Sequence, residues 1–267
     1  MLLGVVLLAL TLSLWPPAPA PALAPAPALA PAPALAPAPA PARVEDVLVP
    51  GDLSALAIRA TTPSVARMLF IPGMCVHPSG YIQAFQHTAA ARGDLVAVQG
   101  DVSCGGDGFA RKWSSDLVAM DRRIDAAFRA AGLGAPRDVI IIGYSQGAER
   151  AERLVARWPA KYSRAVLIAS PVVPSSVTLG EARAVALVAG TLDQAHGPMR
   201  RAASSLRASG ILAAFFDLPG ARHGQMGAWP EESMSRALDF VEGRASPSPT
   251  GEESSSHVPP PARWIAR

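Results

Sequence analysis

The run Val139-Ile-Ile-Ile-Gly-Tyr-Ser-Gln-Gly147 is the feature that most limits how this chain can fold. Residues 139–142 are all β-branched and apolar, the composition of a buried strand. Residues 146–157 carry Ala148, Ala151, Leu154 and Val155 at helical spacing, with Glu149, Arg150, Glu152 and Arg153 expected to face solvent. A strand therefore passes into a helix with only G-x-S-x-G between them. So tight a turn holds Ser145 in a strained backbone conformation, and a side chain at Gly143 or Gly147 would strike the neighbouring helix or strand. The turn also lifts the Ser145 hydroxyl above the carboxyl ends of the strands, where open α/β sheets bind ligands.

Similar apolar runs recur at 67–71, 95–99, 165–169, 185–189 and 213–218, alternating with segments of helical period. That alternation predicts βαβ units: an α/β domain with a mostly parallel central sheet flanked by helices. Residues 47–60 are expected to add an antiparallel hairpin at the sheet edge. Residues 115–130 read as a helix whose inner face holds Leu117, Val118, Ile124, Ala127 and Phe128. The short interval between the runs at 165–169 and 185–189 leaves no room for a large cap domain.

The ends read differently. Residues 2–15 form an apolar run too short to span a bilayer comfortably, followed by small-residue cleavage sites, so 1–18 read as a signal peptide, although no Lys or Arg precedes the run. Residues 19–43 repeat Pro-Ala-Pro-Ala-Leu-Ala and then Pro-Ala, which predicts a disordered spacer reaching about 70 Å at about 3.1 Å per residue. Residues 244–267, rich in Ser, Pro and Glu, read as a disordered tail. One catalytic domain over 44–243 remains. The expected location is secreted or periplasmic, with association to a membrane or cell envelope through the N-terminal segment. The net charge of +3 comes from scattered Arg rather than a dense run, so nucleic acid is not an expected partner.

A serine hydroxyl needs a histidine base and an orienting carboxylate, which follow this type of turn in the order serine, acid, histidine. Asp193 ends a Gly-containing turn after the run at 185–189, and His223 follows a Pro-Gly turn after the last run. Ser145, Asp193 and His223 are therefore the predicted catalytic residues. His196 is a rival base, but it lies so close to Asp193 that the two could not easily serve as separate partners. Asp217 is the rival acid. His77 precedes the serine, His87 falls in an expected helix and His257 in the tail. The backbone N–H of Gln146 is expected to face a developing oxyanion, together with that of Met74 from the loop Leu69-Phe-Ile-Pro-Gly-Met-Cys75, with Cys75 as the alternative donor. Tyr144, Phe109, Met226 and Trp229 are candidate pocket walls. No metal or organic cofactor is required. An oxidising compartment would favour a Cys75–Cys104 disulfide, closing a loop of about 30 residues for about 3 to 4 kcal/mol, against two reduced cysteines.

Gly143-Tyr-Ser-Gln-Gly147, the loop Ile71-Pro-Gly-Met-Cys75, Gly190-Thr-Leu-Asp193 and Gly220-Ala-Arg-His223 together resemble the α/β-hydrolase superfamily. The serine turn looks like that of carboxylesterases, acyl-protein thioesterases and cutinases, and the resemblance spans 44–243. It implies a serine hydrolase cleaving esters or thioesters of a small-molecule or lipid-like acyl substrate through an acyl-enzyme on Ser145. A serine peptidase or amidase on the same fold, or a silent binding protein of the cell envelope, are the alternatives. In the implied strand order the runs ending at Ile71 and Gln99 are neighbours, which brings the loops of Cys75 and Cys104 together.

Overall fold

The structure, a computed structural model, describes residues 42–244 apart from 65 and 107. The predicted signal peptide, nearly all of the spacer and nearly all of the tail, with His257, lie outside the described residues. The chain opens with β1 (Val44–Val47) and β2 (Ala55–Ile58), then β3 (Ala66–Ile71), α1 (Ser79–Ile82), α2 (Gln86–Ala90) and β4 (Gly93–Ala97). A small hairpin of β5 (Val102–Ser103) and β6 (Arg111–Lys112) leads to α3 (Leu117–Ala130), β7 (Ile140–Tyr144) and α4 (Gln146–Arg157). The rest comprises β8 (Arg164–Ile168), α5 (Ser176–Leu179), β9 (Ala184–Gly190), α6 (His196–Ala208), β10 (Ala213–Leu218) and α7 (Pro230–Val241).

Eight strands form one sheet in the order β1-β2-β4-β3-β7-β8-β9-β10. β1 and β2 run antiparallel at one edge and every pair from β4 to β10 is parallel. The edge hairpin was expected over 47–60; it begins at Val44. All residues of β7 and β9 are buried, so both faces of the sheet must be covered. α2 and α7 pack together over one face, and α3 and α4 over the other. After β3 the chain steps out to β4, whereas after β7 it steps the other way to β8. The strand order thus reverses between β3 and β7, the place where open α/β sheets bind ligands.

Two helices differ from the expected patterns. In α3 Val118 is exposed, while Met120 joins Ile124, Ala127 and Phe128 inside. Asp116 caps the helix through the Val118 and Ala119 N–H groups, which rotates Val118 outward. In α4 Arg150 and Glu152 are buried rather than solvated. α4 is the central helix of its face, with α3 on one flank and α5 on the other. Arg150 Nε donates to the Ser114 carbonyl, and Glu152 accepts from the Ser175 N–H and the Thr178 hydroxyl. Helical period identifies the sheet-facing stripe, but not the flanks that neighbouring segments cover.

Candidate active site

β7 ends at Tyr144 and α4 begins at Gln146, so Ser145 alone makes the turn, at φ 51° and ψ −119°. Its N–H donates to the Ile168 carbonyl of the next strand at 2.8 Å, which holds this left-handed backbone in place. A Cβ at Gly143 would overlap the Gly147 carbonyl, and one at Gly147 would overlap the Ile71 and Pro72 carbonyls. Both glycines let three backbone segments meet at the serine. A Cβ at Gly73 would come within 3.3 Å of the Ser145 Cβ, so the loop after β3 lies directly against the serine.

The Ser145 Oγ is 3.0 Å from His223 Nε2, and His223 Nδ1 is 2.9 Å from Asp193 Oδ2. The carboxylate can only accept, which assigns the ring proton to Nδ1 and leaves Nε2 to take the serine proton. The Asp193 side chain is 1% exposed. Its other oxygen accepts the Ala195 N–H, so both oxygens of this buried carboxylate are satisfied.

The turns carrying acid and histidine are tied to each other. The Leu192 N–H donates to the Ala221 carbonyl, and the Gly220 N–H donates to the Thr191 hydroxyl. A Cβ at Gly190 would overlap that Ala221 carbonyl, which explains a glycine at the end of β9. Beyond His223, the Gly224 N–H donates to the Tyr144 hydroxyl at 2.7 Å, and that hydroxyl reaches the Gln225 carbonyl at 3.4 Å. Burial pushes the Tyr144 phenol well above its ordinary pKa, so it stays protonated.

Of the two candidate donors, Met74 and Cys75, one is engaged within the fold. The Cys75 N–H donates to the Arg111 carbonyl at 2.7 Å and is not available to an oxyanion. The Met74 and Gln146 N–H groups take no partner among the described residues. Trp113, which sequence reasoning missed, braces both: its indole N–H donates to the Pro72 carbonyl, and its backbone pairs with the Gln146 side-chain amide. Only the apolar size of Trp113 was visible beforehand, and size does not reveal a bridging role. Cys75 and Cys104 form a disulfide with Cα atoms 5.7 Å apart, joining the loop after β3 to the β5–β6 hairpin.

The rival residues are placed elsewhere. His196 is the first residue of α6, and its Nε2 is 2.6 Å from Asp217 Oδ1. The backbone N–H of His87 is held by Glu231 of α7. A recess of about 420 Å³ opens beside the triad, lined by Val76, His77, Ser79, Tyr81, Gly224 and Met226 among others. Of the predicted pocket walls, Met226 lines it. Tyr144 does not form a wall: it is 1% exposed, because its ring stacks on Tyr81 at 4.5 Å and its hydroxyl is used by the histidine loop. Phe109 is exposed with its ring 5.4 Å from that of His77, at the rim. Trp229 is exposed at the start of α7 and is not among the residues lining the recess.

No family model matches the sequence, and no curated protein matches it either. Solved structures do. The chain is similar to esterase PE8, at 19% identity and a TM-score of 0.54 over 69% of this chain and 97% of that one. It is similar to an esterase of Pyrobaculum calidifontis, at 14% identity and a TM-score of 0.57 over 76% of this chain and 87% of that one. A third similar structure is FphF, fluorophosphonate-binding serine hydrolase F of Staphylococcus aureus, at 11% identity and a TM-score of 0.54, covering 75% and 98%. With its sheet order and its serine at the turn between β7 and α4, this chain has the α/β-hydrolase fold.

Proposed function

We propose that the chain is a serine hydrolase that cleaves carboxylic ester or thioester bonds through an acyl-enzyme on Ser145. The observation that carries this reading is the continuous hydrogen-bonded path from Ser145 Oγ through His223 to a buried Asp193 with both oxygens partnered, alongside two amides that take no partner among the described residues. His223 Nε2 takes the serine proton as Oγ attacks the acyl carbon, then passes it to the leaving group. Water repeats the attack with the same base and releases the acid. Asp193 stabilises the imidazolium that forms between these transfers. The Met74 and Gln146 amides meet the oxyanion, each contributing about 3 to 4 kcal/mol to the transition state.

Export of the chain belongs to the same proposal, and the disulfide supports it, since such bonds persist in oxidising compartments. In a bacterial host, a processed domain outside the cytoplasm is the expected result. An unprocessed cytoplasmic chain would refute export.

The activity is tested by fluorophosphonate labelling of folded wild type and Ser145→Ala, followed by hydrolysis of short and long p-nitrophenyl esters. Labelling confined to wild type, with ester turnover, is expected. A folded wild type that takes no label refutes the serine hydrolase reading. Labelling without ester or thioester turnover would redirect the site to amide substrates.

A further inference from the structure

The recess beside the triad contains polar groups that the proposed chemistry does not use. Within it, His77 Nδ1 receives two contacts from Ser79: the hydroxyl at 2.8 Å and the backbone N–H at 3.4 Å. A backbone N–H can only donate, so Nδ1 must be the unprotonated acceptor. Burial lowers the His77 pKa, with Asp46 opposing, so the ring is neutral near pH 7. A neutral ring whose Nδ1 accepts carries its proton on Nε2. That N–H takes no hydrogen bond among the described residues.

Tyr81 lines the same recess, and burial keeps its phenol protonated. Its hydroxyl takes no hydrogen-bond partner among the described residues, and Tyr81 as a whole is 8% exposed. The recess is therefore lined by two residues that carry neutral donors, His77 and Tyr81, together with the apolar side chains of Val76 and Met226. No Lys or Arg lines it among the described residues, so a carboxylate entering it would lack a counter-charge there. At about 420 Å³ it falls in the range of small-molecule sites, about 300 to 1,000 Å³.

We propose that this recess is a specificity subsite in which His77 and Tyr81 bind an uncharged hydrogen-bond acceptor, a hydroxyl or carbonyl oxygen, on an otherwise apolar portion of the ester. The proposal rests on the hydrolase reading above. Ser79 is a positioning residue that fixes the ring tautomer, while His77 and Tyr81 touch the substrate. A site built to pair a polar group discriminates against the analogue lacking it more strongly than an apolar pocket does against one that adds it.

The test compares kcat/KM for matched esters with the full chain. One pair differs on the acyl side, p-nitrophenyl 3-hydroxybutyrate against p-nitrophenyl butyrate. The other differs on the alcohol side, 2-hydroxyethyl butyrate against propyl butyrate. A preference of about tenfold or more for the hydroxylated member of one pair is expected, and that pair identifies the portion bound. His77→Phe and Tyr81→Phe should each move the ratio toward one, and His77→Gln, which retains an N–H donor, should restore part of it. Turnover of all four esters with ratios near one, or ratios unchanged in both Phe variants, would overturn the subsite alone. Failure of folded wild type to turn over any ester or to take the fluorophosphonate label would overturn the hydrolase reading, and this proposal with it.

Discussion

Two histidine–aspartate pairs join the turn after β9 to the β10 side of the sheet. In one, His223 meets Asp193 through Nδ1, which leaves Nε2 directed at Ser145. In the other, His196 meets Asp217 through Nε2 instead. Asp193 is 1% exposed and accepts a second bond from a backbone amide, whereas Asp217 is 54% exposed. An exposed pair is screened by water and contributes little. A buried acid with both oxygens engaged holds an imidazole in one orientation and one tautomer. Proximity of His to Asp is common to both pairs; what separates them is which ring nitrogen is used and how far the carboxylate is removed from water.

The comparison can be broken most decisively at its first member. Ser145→Ala and His223→Ala are each expected to lower kcat by about 10⁶-fold, with the double variant no worse than either, because the residues act as a unit. Single-turnover and steady-state rates on one p-nitrophenyl ester would show this. Additive losses would mean that His223 does not work through Ser145.

Next in size, Asp193→Asn is expected to cost about 10⁴-fold in kcat by stabilising the wrong tautomer. Asp217→Asn and His196→Ala should stay within about twofold, as exposed substitutions do. A larger loss in the second pair than in the first would reverse the assignment. Smaller again, Tyr144→Phe removes the hydroxyl that the Gly224 N–H uses, and should lower kcat about tenfold with little change in KM. A change confined to KM would place Tyr144 in binding instead.

The smallest effect concerns a buried carboxylate that has no histidine. Burial holds the Glu152 carboxyl above its ordinary value despite hydrogen bonds from Thr178 and Ser175, and its Oε2 has no hydrogen-bond partner among the described residues. Because the folded pKa lies above the unfolded one, the fold favours the protonated form. That contribution is complete below the unfolded value and is lost as pH rises through the folded one. Glu152→Gln should therefore gain stability over wild type near pH 7 and gain little near pH 4, read as urea midpoints. A gain of equal size at both pH values would show that desolvation of the charge is not the cause.

Much of this architecture was legible beforehand because it depends on local rules. Short apolar runs and period-3.6 patterning located the main parallel strands to within two residues at each end, and α4 over its full length. Glycine spacing identified the turn at Ser145, since room for three backbones leaves few other residues at Gly143 and Gly147. Patterning failed where burial comes from a lateral neighbour. Arg150, Glu152 and Trp113 all pair with segments far away in sequence, and residue type alone could not indicate those pairings.

By itself, then, the sequence determined the strand-to-helix turn that displays Ser145 and the serine, acid, histidine order that follows it. These rest on steric limits and hydrophobic periodicity within a few residues of one another. Tertiary structure alone decided that His223 rather than His196 reaches the serine, that Cys75 gives its N–H to Arg111 and leaves Met74 open, and that Tyr144 anchors a loop instead of lining a pocket. Each of those outcomes is a directional hydrogen bond between loops brought together by the sheet order, and a difference of one residue or one ring nitrogen changes the partner.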